Sequence, residues 1–62
     1  MASFIKLKDV KLMTGLSRSS IYAMMKDDKF PHTVLLGVRA VAWVDIEVNE
    51  WMQNKLASRS SS

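Results

Sequence analysis

Leu7, Val10 and Met13 recur every three residues, separated by Lys8, Asp9 and Lys11. That spacing makes one inward stripe of a helix and predicts a short first helix over residues 8–13. Lys8 and Lys11 face outward, and Asp9 falls in the first turn, where an acid complements the helix dipole. Gly15 closes the element, because a glycine just past a helix takes the left-handed conformation that satisfies the last carbonyls. Residues 14–17 then form a tight turn.

The second helix is the best marked. Ser17 is its predicted N-cap, accepting from backbone amides of the first turn. Leu16 and Ile21 stand at the spacing of a hydrophobic staple, which fixes the angle between turn and helix. Ile21, Met24 and Met25 continue the inward side. Arg18, Tyr22 and Lys26 recur at i, i+4, i+8 on another face, with Ser19 beside them. The helix is expected to fray near Asp28, since Pro31 pushes Phe30 out of helical geometry.

From Thr33 the period changes to two. Val34 and Leu36 alternate with Thr33 and Leu35, and Val41 and Trp43 alternate with Ala40 and Ala42. This predicts a β-hairpin around Gly37-Val38-Arg39, with Val34, Leu36, Val41 and Trp43 on the buried face. Gly37 is placed at a turn position of positive φ, although apolar runs this short also fit helix segments. Asp45 is the predicted cap of a third helix reaching about Ala57, with Val48, Trp51, Met52 and Leu56 as its apolar stripe. Its acids come early and Lys55 late, as the dipole favours. The order helix–turn–helix–hairpin–helix is that of a winged helix-turn-helix, mainly α with a two-stranded wing. One domain over residues 1–57 is expected, with a disordered tail at 58–62.

Composition narrows the class. Sixty-two residues, 48% of them hydrophobic, suffice for one small core. No apolar run approaches the ~20 residues of a membrane span, and the N-terminus lacks the apolar segment of a signal peptide. Cysteine is absent, which removes disulfides and thiolate metal sites and makes a cytoplasmic protein the expectation.

The net charge is +3, and its distribution says more than the total. Residues 1–26 carry Lys6, Lys8, Lys11, Arg18 and Lys26 against Asp9, a net +4. Residues 27–44 balance, and residues 45–62 amount to −1. The positive half thus contains the helix-turn-helix, although a charge of this size also serves solubility.

With that basic half, the second helix suits the DNA major groove. Arg18 is the candidate for guanine, because its fork meets O6 and N7 together. Ser17, Ser19 and Ser20 are short donors for phosphate or base edges, at a helix N-terminus that itself attracts phosphate. Tyr22 offers its hydroxyl to a phosphate and its ring to a thymine methyl, and Lys26 binds backbone as a point charge. The bland reading of each is capping for Ser17, part of the core for Tyr22 and a solvated face for Arg18. Their concurrence after the turn favours DNA contact. Arg39, at the hairpin tip, reads equally as a wing residue reaching phosphate or a narrow minor groove and as a solvated turn arginine. His32 is a possible phosphate donor, and a lone histidine argues against metal.

Trp43 and Trp51 fit core positions better than base-stacking platforms, which weakens an RNA-binding reading. Asp27-Asp28 and Glu47/Glu50 come with no nucleophile or phosphate loop, so neither an enzyme nor a small-molecule substrate or cofactor is expected.

The run from Leu7 to Trp51 resembles the AlpA family of phage and prophage regulators, within the MerR-like winged-helix proteins that include phage excisionases. The matching pieces are Val10, the stretch Thr14-Gly15-Leu16-Ser17-Arg18-Ser19-Ser20-Ile21-Tyr22, Lys29-Phe30-Pro31, Leu36-Gly37, Arg39-Ala40-Val41, Trp43, Glu47-Val48 and Trp51. The resemblance implies a sequence-specific protein of a phage, prophage or genomic island that binds double-stranded DNA. Such a protein regulates an integrase gene, or acts as an excisionase that bends the attachment-site arm. It also implies Ser17, Arg18, Ser19, Ser20 and Tyr22 as recognition positions and Arg39 as the wing arginine. Integrase and further copies of the chain on DNA are the implied protein partners. This chain departs from the family in having Asp28 where glycine is frequent and Val38 where the wing often has a smaller or polar residue. The rival reading is a protein–protein module on the same fold, inhibiting a response regulator or recruiting integrase with DNA incidental.

Overall fold

The computed structural model describes residues 2–60. Their order is β1 (Phe4–Ile5), α1 (Leu7–Thr14), α2 (Arg18–Lys26), β2 (Val34–Leu35), β3 (Val41–Val44) and α3 (Asp45–Ser60). Three helices pack with a small antiparallel sheet in a mainly helical winged helix-turn-helix.

Each end of the helix-turn-helix has a local cause. The Asp9 carboxylate accepts the Lys6 N–H at the start of α1 (3.3 Å). At its end Gly15 takes φ 74° and donates to the Lys11 carbonyl, as a left-handed C-cap does. Thr14 Oγ1 donates to the Val10 carbonyl at 2.7 Å and accepts the Leu16 N–H at 3.2 Å, which shapes the turn into α2. Ser17 caps α2 by accepting the Ser20 N–H. Leu16 and Ile21 then join one apolar cluster.

The other end of α2 is closed before Pro31 acts. Lys29 N–H donates to Met24 O (2.7 Å) and Asp28 N–H to Met25 O (3.1 Å), the two bonds of a Schellman motif. The motif needs a left-handed residue, and Asp28 supplies it at φ 59°. Aspartate tolerates that conformation better than most side chains. A backbone closure therefore stops the helix, in place of the fraying expected from Pro31.

The sheet has three strands in the order β1-β3-β2, with Phe4 opposite Val44, Ile5 opposite Trp43, Val34 opposite Ala42 and Leu35 opposite Val41. The hairpin is as expected, and β1 adds a strand to the expected two. Two residues carry no readable periodicity, so β1 is set by pairing with β3 instead. The Ser3 N–H donates to Asp45 Oδ1 (2.8 Å) and Asp45 N–H to Ser3 O (2.9 Å), fastening the N-terminal strand to the start of α3.

Val10, Ile21, Phe30, Trp43 and Val48 form the buried cluster, drawn from the three helices, β3 and the loop after α2, and Ile5, Leu7, Leu16, Met24, Met25, Trp51 and Met52 pack on it. Ala42, expected on the outward face, is also fully buried. It sits on the central strand opposite Val34 and beside the fully buried Trp43, so both faces of β3 are covered.

Four expected core or turn assignments are corrected. Leu36 is exposed because β2 ends at Leu35 and Leu36 already belongs to the connecting loop. Met13 is exposed rather than inward, in the last turn of the short helix α1. Leu56 is exposed because α3 runs past the core: its 16 residues end at Ser60, giving a rod of ~24 Å. Residues 58–60, read above as tail, are accordingly helical, since neither glycine nor proline interrupts them. Residues 61–62 of the expected tail lie outside the described residues. The overhang also explains a long axis of 43 Å and a radius of gyration of 12.0 Å, above the ~10.6 Å typical of this length. Finally, Gly37 does not adopt positive φ. The loop is closed by Leu36 and Gly37 N–H groups on the Ala40 carbonyl. A five-residue connection has the slack to turn with ordinary angles, unlike a two-residue turn.

Candidate nucleic-acid interface

The expected site residues divide into three groups. Ser17, Arg18, Ser19, Ser20 and Tyr22 lie together at the N-terminal end of α2, Lys26 closes the same helix, and Arg39 stands apart on the loop between β2 and β3. All are exposed. Ile21, among them in sequence, points inward and is fully buried. The helix thus presents a polar edge while its opposite side is held by the core.

Within that edge the hydroxyls are not equivalent. Ser17 Oγ accepts the Ser20 N–H at 3.2 Å and donates to Ser20 Oγ at 3.0 Å. The two serines are therefore engaged with the helix start and with each other. Ser19 makes no such bond among the described residues. Arg18 has no carboxylate partner there either. Its guanidinium carbon lies 5.7 Å from the centroid of the Tyr22 ring, inside the range of a cation–π contact. Tyr22 meets Trp43 edge-on, with centroids 6.1 Å apart and planes at 62°.

The Tyr22–Trp43 contact was not legible in the sequence, since no local spacing links residues 21 positions apart. The two tryptophans occupy the positions expected of them: Trp43 is fully buried and Trp51 half-buried. Their indole N–H groups both donate to the loop after α2, Trp43 to Pro31 O (3.0 Å) and Trp51 to Lys29 O (2.8 Å).

His32, read as a possible phosphate donor, approaches Asp28 Oδ1 through Nε2 at 2.8 Å. An acid four residues earlier was available to claim it. Among the described residues no group of three potential metal ligands comes together.

Two concavities flank these elements. One, of about 680 Å³, lies between the loop after α2 and α3, with Phe30, Pro31 and Trp51 among Asp28, Glu47 and Glu50. The other, of about 460 Å³, is an apolar groove of Leu7, Leu12 and Leu16 beside Lys8 and Lys11. The first carries acids, which disfavour a phosphate backbone. The exposed polar cluster lies at the other end of α2, and Arg39 stands apart on the loop between β2 and β3. No described helix is long and apolar enough to cross a membrane.

Comparison with known proteins finds relatives among phage and prophage proteins. A family model described as prophage CP4-57 regulatory protein (AlpA) matches residues 3–56. The chain is 41% identical to the uncharacterized protein ORF88 of Enterobacteria phage P4 over 56 residues, 90% of this chain and 64% of the phage protein. It thus spans a little less than two thirds of that relative's length. It is also 32% identical to the DNA-binding transcriptional activator AlpA of Escherichia coli (strain K12), across 82% of this chain and 81% of that protein.

Proposed function

The chain belongs to the AlpA family of prophage regulatory proteins, and from that premise we propose that it is a regulator that binds double-stranded DNA sequence-specifically. The carrying observation is Arg18, exposed on the first residue of a serine-capped helix whose far side is locked into the core. A helix placed so enters the major groove with its N-terminal residues nearest the bases.

In this reading Arg18 meets a guanine edge, and Ser19 offers a hydroxyl to a base or phosphate. Ser17 and Ser20 hold the helix start, leaving the first-turn amides of Arg18 and Ser19 as donors for a phosphate. Lys26 neutralises backbone charge farther along, and Arg39 reaches the duplex from the wing. A single module of this kind buries roughly 600–1,000 Å² on DNA, so several copies on neighbouring sites would provide the specificity one lacks. The gene controlled is an integrase gene, or the protein acts as an excisionase at the attachment-site arm with integrase as partner. The name of the bacterial relative, a DNA-binding transcriptional activator, favours gene regulation over excision.

A mobility-shift assay on the integrase promoter and the attachment-site arms tests the reading. Arg18→Ala should cost about 1–3 kcal/mol and relax preference at one base position. Unchanged affinity and base preference in that variant would overturn the placement of α2. Shifts confined to the promoter favour gene regulation, whereas bending at the arm favours excision.

A further inference from the structure

An arginine on a helix surface carries four rotatable bonds, and fixing them on a base costs binding free energy unless the side chain is held beforehand. No acid of the described chain holds Arg18, so its five N–H donors stay available. What it does touch is an aromatic face, the Tyr22 ring one helical turn on at 5.7 Å. That ring is not loose. Although the residue is exposed, its ring meets Trp43 edge-on at 6.1 Å. Trp43 is fully buried, with its indole N–H on the Pro31 carbonyl.

We propose that Tyr22 is a positioning residue: its ring, braced by Trp43, holds the Arg18 guanidinium in place for a guanine edge. The inference rests on the reading of Arg18 as a base contact and adds how specificity is built. The guanidinium rests on Tyr22, Tyr22 on Trp43, and Trp43 on the loop after α2. The direction of the most specific side chain is thereby tied to the core. The Tyr22 hydroxyl is not needed for this, because a ring face attracts a cation without it.

Three variants separate the ring from the hydroxyl and from the fold. Tyr22→Phe keeps the ring, Tyr22→Leu removes it while leaving apolar bulk against Trp43, and Arg18→Ala removes the group positioned. Binding of the full chain to its duplex is measured with each base pair under α2 varied in turn. The ring-current shift of the Arg18 side-chain protons is read in the free protein by NMR. Tyr22→Phe should keep the parent's selectivity at the base pair read by Arg18 and keep the ring-current shift. Tyr22→Leu should lose about fivefold in affinity, the upper worth of an exposed cation–π contact. It should also lose selectivity at the same base pair as Arg18→Ala, together with the ring-current shift. Adding Tyr22→Leu to Arg18→Ala should cost nothing further.

A Tyr22→Phe defect equal to that of Tyr22→Leu would assign the effect to the hydroxyl and overturn the proposal. So would full additivity with Arg18→Ala, which would make Tyr22 an independent DNA contact, or parental selectivity in a folded Tyr22→Leu. If Tyr22→Leu fails to fold, Tyr22→Met is measured in its place, and parental selectivity there overturns the proposal equally. A silent Arg18→Ala would overturn this inference and the proposed function together. An active Arg18→Ala with a silent Tyr22→Leu overturns this inference alone.

Discussion

Gly15 and Gly37 stand in opposite situations, and the difference is measurable. Gly15 holds φ 74° with nothing within 4 Å of where a Cβ would sit. Gly15→Ala therefore meets no clash and pays only backbone strain, about 1–2 kcal/mol. Gly37 has ordinary φ, and a Cβ there would lie 3.8 Å from that of Ala40. Gly37→Ala should leave stability within about 0.5 kcal/mol of the parent. Thermal melts of the two variants check the pair, with a fall of about 4–8 °C per kcal/mol for a domain of this size. A large loss at Gly37 would mean that the wing loop does need the left-handed region. The sequence shows why only one was legible. Gly15 directly follows an amphipathic stretch, so its role as a cap is local. Whether Gly37 needs positive φ depends on loop length and strand register, which no single residue discloses.

At the scale of the element, α2 is held at both ends by its own sequence. Ser17 supplies the start through the Ser20 N–H, and Ser17→Ala should cost about 1 kcal/mol of folding stability. Denaturant unfolding would show this as a lower midpoint at unchanged slope, whereas a midpoint equal to the parent's would show that Ser17 does not act as a cap. The far end offers a parallel prediction. Asp28 sits at φ 59°, so Asp28→Ala should lose roughly 1 kcal/mol while Asp28→Gly does not. Equal stability of the two variants would remove backbone strain as the reason for the residue at this position. Helices α1 and α2 were legible because capping and periodicity are both local. Strand β1 was not, because Phe4 and Ile5 become a strand only against Val44 and Trp43. The end of α3 was misjudged from composition: a serine-rich ending reads as tail, yet nothing in it forbids another turn of helix.

For the molecule as a whole, charge placement governs association more than the net value does. The basic half carries α1 and α2, while Asp45, Glu47 and Glu50 gather at the start of α3. Affinity for any duplex should therefore fall steeply with salt, and Lys26→Ala should flatten that dependence by about one counterion while weakening all sequences alike. Titrations across a salt series on specific and unrelated duplexes check this, and a loss confined to one sequence would make Lys26 a base contact instead. The order of the three helices and the hairpin, and with it the architecture, was legible because each of those elements, unlike β1, announces itself in sequence. The site was legible only as a set of residue types on α2. Their mutual arrangement comes from tertiary contacts, above all the Trp43 edge against Tyr22.

The loop after α2 has one more consequence. Its carbonyls at Lys29 and Pro31 receive the indole N–H groups of residues 51 and 43, so α3 and β3 are both tied to three consecutive residues. Opening that loop changes the surroundings of both indoles at once. The protein thereby carries a built-in optical reporter. Tryptophan emission should shift to the red in a single transition that coincides with loss of helical circular dichroism, the mark of an all-or-none domain.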